Sequence, residues 1–126
     1  MTSKRHVPDG WPTLIPRIVV DEPEALVSFV RDVFGATGDF HAQRPTELRI
    51  GDSLLMISGS SERERMPAFL YVYVEDTDVV HARAIARGAT AIEEPRELPY
   101  GDRRSMIADP WGNTWQIATH RGAFTP

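Results

Sequence analysis

The chain has 126 residues, 41% of them hydrophobic and 25% charged, which predicts one soluble globular domain with a core of its own. Fourteen basic and 18 acidic residues leave a net charge of −4, so the basic footprint that nucleic-acid binding requires is missing. With no cysteine, disulfides, thiolate metal sites and cysteine nucleophiles are excluded together, which fits a reducing cytoplasm, and no apolar run approaches membrane-spanning length.

Residues 1–12 read as a loose polar N-terminal arm without the apolar core of a signal peptide. Residues 14–20 are β-rich, and Asp21-Glu22-Pro23-Glu24 then predicts a helix start. Asp21 is placed to cap, Glu24 stands where a capping box needs it, and Pro23 falls in the first turn, where its missing N–H costs nothing. Leu26, Phe29, Val30, Val33 and Phe34 form one apolar stripe, and Gly35 ends it. Alternating segments at 37–43, 47–50 and 53–58 predict three strands, the last two parted by a Gly51-Asp52 turn. The polar run 59–67 reads as a solvated linker.

The second half repeats the plan. Residues 69–74 are all aromatic or aliphatic and carry the strongest strand signal in the chain. Asp76-Thr77-Asp78 starts a second helix, with Val80, Ala84 and Ile85 on its apolar face and Gly88 as its stop. A strand at 89–92 and a loop at 93–99 follow, then two strands within 100–120 joined by a turn at Asp109-Pro110-Trp111-Gly112. Gly35-Ala36-Thr37 recurs as Gly88-Ala89-Thr90, and Gly51-Asp52-Ser53 has its counterpart in Gly112-Asn113-Thr114. Two β-α-β-β-β modules, about 13–59 and 67–121, are expected to pair into a single α+β fold, since neither buries its helix stripe alone.

The ending Asp109-Pro110-Trp111-Gly112-Asn113-Thr114-Trp115-Gln116-Ile117 resembles the vicinal oxygen chelate (VOC) superfamily of glyoxalase I, bleomycin-resistance proteins and extradiol dioxygenases. So do Val74-Glu75-Asp76 before the second helix, and Val19-Val20-Asp21 followed by Phe29 and Val33-Phe34-Gly35-Ala36. Ile15-Pro16, Tyr100-Gly101-Asp102-Arg103 and Ile117-Ala118-Thr119-His120 are similar to its PhnB-like branch. The resemblance spans about residues 14–120 and implies two βαβββ modules forming a curled mixed sheet, with a concave cavity on one side and helices on the other. In the family's metal-dependent members four strand positions hold a divalent ion, and the resemblance puts them at Ile15, Leu55, Phe69 and Gln116. Only Gln116 offers a donor, so no metal and no cofactor is expected.

Within that fold, strand alternation directs Phe69, Tyr71 and Tyr73 into the cavity and Leu70, Val72 and Val74 against the helices, with Arg17, Thr114 and His120 on the cavity face. The expected ligand-binding set is Arg17, Leu55, Phe69, Tyr71, Tyr73, Thr114, Gln116 and His120. Of the four histidines, His6 lies in the arm, His81 reads as a helix-surface or edge residue beside the apolar stripe and His41 as a rim residue. His120 is the titrating group best placed near a ligand, with no acid fixed beside it by the sequence. The expected function is metal-free binding of an aromatic or amphipathic small molecule by a cytoplasmic homodimer, a sequestering role like that of the drug-resistance members, with neither nucleic acid nor membrane as partner. The alternative is a VOC enzyme, either metal-dependent through other ligands or metal-free and using Arg17, a tyrosine and His120.

Overall fold

Two runs of β-branched and aromatic residues, each leading into a helix, organise the chain, and the computed structural model describes residues 6–122 of it. The elements are β1 (Arg17–Val20), α1 (Pro23–Phe34), β2 (Thr46–Ile50), β3 (Ser53–Gly59), β4 (Phe69–Tyr73), α2 (Thr77–Ala86), β5 (Thr90–Glu97), β6 (Asp102–Ala108) and β7 (Thr114–His120). In both halves the first strand pairs in parallel with the last, β1 with β3 and β4 with β7, a pairing that needs the long crossover a helix supplies. The remaining pairs are antiparallel, giving sheet orders β1-β3-β2 and β4-β7-β6-β5. The curl is thus divided into two sheets, and an isolated bridge ties Val19 of β1 to Met66 in the segment that leads into β4.

One core runs through both modules. Leu26, Val27, Phe29, Val30 and Val33 of α1 are buried with Ile18, Leu48 and Ile57 of the first sheet and with Ile107, Trp115 and Ile117 of the second. Phe34 packs on Trp115 with ring centres 4.8 Å apart, and Phe29 meets Trp111 edge-on at 5.7 Å. Between the helices, Arg83 donates to the Val33 carbonyl at 3.0 Å and Arg87 pairs with Asp32 at 2.7 Å.

The residue 109–113 turn is a latch. The buried Asp109 accepts four hydrogen bonds of 2.9 Å, from the Trp111 and Asn113 amides, the Asn113 side chain and the Trp115 indole. Asn113 Oδ1 in turn accepts from the Ala68 amide just before β4, and Gly112, at φ 91°, takes the conformation that closes the turn. The motif that carries most of the family resemblance therefore holds strands together.

Several expectations are corrected. Asp21 does not cap α1: the cap position is Glu22, without a side-chain bond, while Asp21 accepts from Ser60 Oγ at 2.6 Å. The expected strand at 37–43 reduces to a single bridge between Thr37 and Arg49, because Gly38 turns the chain at φ 132°. The expected loop at 93–99 is instead mostly strand, since β5 runs on to Glu97. Pro95 is tolerated there because β5 is an edge strand whose register slips twice, between Ala91 and Glu93 and between Glu93 and Arg96. On α2 the buried stripe is Thr77, Val80, His81 and Ala84, and Ile85 is 39% exposed. His81 is thus a buried residue, 2.8 Å from Ser105 Oγ, and not a surface one. Residues 1–5 of the expected arm lie outside the described residues. Its later part is tied down, with the Trp11 amide on the Pro8 carbonyl and Arg49 reaching the Gly10 carbonyl.

β4 borders its sheet. Ala68 accepts from the Thr114 amide and Val74 donates to Ala118, so alternation points the N–H and C=O groups of Phe69, Tyr71 and Tyr73 away from β7, toward the outer edge.

Candidate functional site

The face of β4 opposite the helices presents Phe69, Tyr71 and Tyr73, while Leu70, Val72 and Val74 pack against the core. Pairing carries that face across the sheet: Tyr71 lies beside Gln116 and Met106, Tyr73 beside Ala118 and Arg104, and His120 beside Asp102. Ala118 is fully buried, and its methyl leaves room for the tyrosine rings to cross β7. They cross it to reach one carboxylate. Tyr71 and Tyr73 donate to Asp102 Oδ2 at 2.6 and 3.0 Å, and His120 Nδ1 lies 2.9 Å from Asp102 Oδ1.

Asp102 is only 2% exposed. Burial alone would raise its pKa, but hydrogen bonds from Tyr71, His120 and Tyr73 outweigh burial and hold it below the usual carboxylate range. The phenols shift the opposite way. Tyr71 is raised by partial burial and then by its bond to Asp102, and Tyr73 chiefly by that bond. An ionised carboxylate only accepts, so Nδ1 of His120 carries the proton it shares with Asp102. The five residues Tyr71, Tyr73, Tyr100, Asp102 and His120 line a cavity of about 380 Å³, and the Tyr100 hydroxyl accepts from Arg104 at 3.0 Å. On the other side of β4 lies a groove of about 950 Å³, which shares Tyr71 and Tyr73 but is otherwise mainly apolar, with Phe34, Leu54, Leu70, Val72 and Val79 among its walls.

Of the expected ligand-binding set, the structure brings together Tyr71, Tyr73 and His120. Phe69, Thr114 and Gln116 lie further along the same face, outside the cavity lining. Arg17 sits on the other sheet, bonded to Ser58 Oγ at 3.0 Å, so the charge in the tyrosine cavity is an acid and not the expected cation. Leu55 is 4% exposed beside Ile57 and Leu48 in the core and also walls the apolar groove that Tyr71 and Tyr73 share, while the cross-strand partner of Arg17 is Met56. His41 contacts Arg44, 3.0 Å from its Nε2, and lines neither cavity.

Sequence reasoning missed Asp102 and Tyr100. Counting in twos back from Ala108, the partner of Thr114, places Asp102 on the His120 face, and that count was the available signal.

A divalent ion does not fit the donors present. Of the four positions the resemblance assigns, Ile15 and Phe69 have no donor atom and Leu55, also without one, packs in the core, while among the described residues no three histidine or carboxylate side chains converge.

A βαββ module and a βαβββ module around one core, each with its first strand parallel to its last, define a recognisable class of fold. The family model of the Glyoxalase/Bleomycin resistance protein/Dioxygenase superfamily matches residues 13–117, and the chain belongs to that superfamily. It is 27% identical over 124 residues to Mb0911c, an uncharacterized protein of Mycobacterium bovis, covering 84% of this chain and 82% of that one. Among solved structures it is similar to TioX from Micromonospora sp. ML1, with TM-score 0.73, 21% identity and coverage of 86% of this chain and 98% of that one. A glyoxalase/bleomycin resistance protein/dioxygenase family enzyme from Burkholderia phytofirmans PsJN gives TM-score 0.72 and 23% identity, covering 84% and 96%. At such identities the structural likeness is one of fold.

Proposed function

We propose that the protein binds an amphipathic aromatic small molecule across β4, without a metal. The observation that carries this is the pairing of two unlike cavities through Tyr71 and Tyr73, a polar one around Asp102 and a larger apolar groove. A ligand with one polar and one apolar end matches both, and exposed phenol rings supply contact area at low entropy. The donor set supports the metal-free reading. Sequestration of a drug-like compound in the cytoplasm is the role this chemistry suits. A homodimer is part of the same proposal, supported by large hydrophobic side chains left exposed away from both cavities, among them Leu14, Met66 and Ile92. No helix among the described residues is long and apolar enough to cross a membrane.

The test is a thermal-shift screen of aromatic amphiphiles on dialysed protein, with metal analysis of the same sample. A compound that raises Tm in the wild type and loses about 1–3 kcal/mol of affinity in Tyr71→Ala supports the reading. Unchanged affinity in Tyr71→Ala, or near-equimolar metal that supports turnover, overturns it. A second reading, a metal-free enzyme, is favoured by the Asp102–His120 contact.

A further inference from the structure

We propose that Asp102 and His120 form a metal-free general base, with His120 Nε2 as the proton acceptor and a conjugated carbon acid as the class of substrate. The inference rests on the reading that the tyrosine cavity is the binding site.

The geometry supplies each part. Asp102, buried and kept ionised by two phenol donors, accepts Nδ1–H of His120 at 2.9 Å and so fixes which ring nitrogen is protonated. In the neutral ring Nε2 is then the nitrogen that carries the lone pair, on a side chain 49% exposed at the cavity lining. A general base must reach its substrate and keep its orientation, and a carboxylate bonded to the far nitrogen supplies the second condition. His81 meets the second condition but not the first, because it is 6% exposed beneath β6.

The Tyr71 and Tyr73 hydroxyl protons are committed to Asp102, so neither phenol can donate to an oxyanion. A substrate that carries the electron pair in its own π system makes no demand on these two phenols and suits the flat rings that wall the cavity. In the step, the C–H bond breaks, the Nε2–H bond forms, and the pair stays on the substrate; no oxidant or reductant is needed. His120 is the catalytic residue and Asp102 its positioning residue.

Two measurements test this, neither needing the natural substrate. In ¹⁵N NMR of the wild type, assigned with His120→Gln, the His120 ring is expected to be the Nδ1–H tautomer, and Asp102→Asn is expected to lose that preference. The second uses nitrobenzisoxazole as the probe, a planar carbon acid. Loss of its ring proton to Nε2 forms a nitrile, breaks the N–O bond and releases a coloured phenolate. The wild type should convert it at least about tenfold faster than His120→Gln, with Asp102→Asn reduced to a similar extent. An Nε2–H tautomer in the wild type, or conversion equal to that of His120→Gln, overturns the proposal. Should the screen find no ligand while tautomer and conversion behave as expected, the sequestering reading falls and the base stands.

Discussion

At the scale of single residues, two buried aspartates do unlike work. Asp109 accepts four hydrogen bonds, and Asp109→Ala would leave the fully buried Trp115 indole and the Asn113 amide without partners. A loss of about 2–5 kcal/mol in urea unfolding is expected, with Asp109→Asn losing less because one acceptor oxygen remains. Asp102 couples stability to pH. Its folded pKa is depressed, so its contribution is full above the unfolded value of about 4 and fades as pH falls through the folded one. Tyr71 and Tyr73 are raised, so theirs is full below about pH 10 and fades as pH climbs through their folded values. Asp102→Asn should weaken both limits together. Ultraviolet titration is the check: the tyrosinate absorbance should rise at lower pH in the variant, and an unchanged curve would show that burial alone sets the phenols.

At the scale of elements, alternation along β4 assigns neighbouring residues to different tasks. Val72→Ala should destabilise the fold by about 1–2 kcal/mol through lost core packing and, because Val72 also walls the groove, should weaken ligand binding less than Tyr71→Ala does. Equal stability losses with no effect on binding would mean that the strand has no ligand face. On β7, Ala118→Leu should drive the tyrosine rings off Asp102 and destabilise by about 1–3 kcal/mol, visible as an earlier tyrosinate titration. The parity of β4 was legible because aromatic and aliphatic residues alternate there without exception. That of α2 was not, because its buried stripe is half polar: Thr77 bonds the Arg103 carbonyl and His81 bonds Ser105, so a search for apolar residues selects Ile85 instead. β5 was read as a loop for a related reason, since Pro and Glu mark a turn unless the strand is known to be an edge. Asp102 was hidden by distance. Its phenol partners stand 31 and 29 residues earlier, and only the fold brings them to it.

At the scale of the whole molecule, the two modules repeat one topology but share the work unequally. The first keeps three strands and a residual bridge at Thr37, while the second keeps four and carries the cavity. Gly38 stands where the first module abandons its extra strand, and a Cβ there would lie 2.5 Å from the Glu47 carbonyl at a φ that side chains rarely adopt. Gly38→Ala is expected to lower stability by about 1–3 kcal/mol. The proposed dimer is checked by sedimentation velocity, with a monomer at tens of micromolar as the contrary result.

The margins of the second sheet are unlike each other. Along β5, Pro95, two register slips and the charges of Glu93, Glu94, Arg96 and Glu97 turn an incoming strand away, whereas β4 offers an uncharged, proline-free run of five residues. A sheet that is receptive on one side and refusing on the other can grow by a single addition. Because Leu70, Val72 and Val74 of the receptive margin wall the groove, a molecule bound there would stand where another chain's strand would dock, and occupancy would guard the protein against fibrous growth.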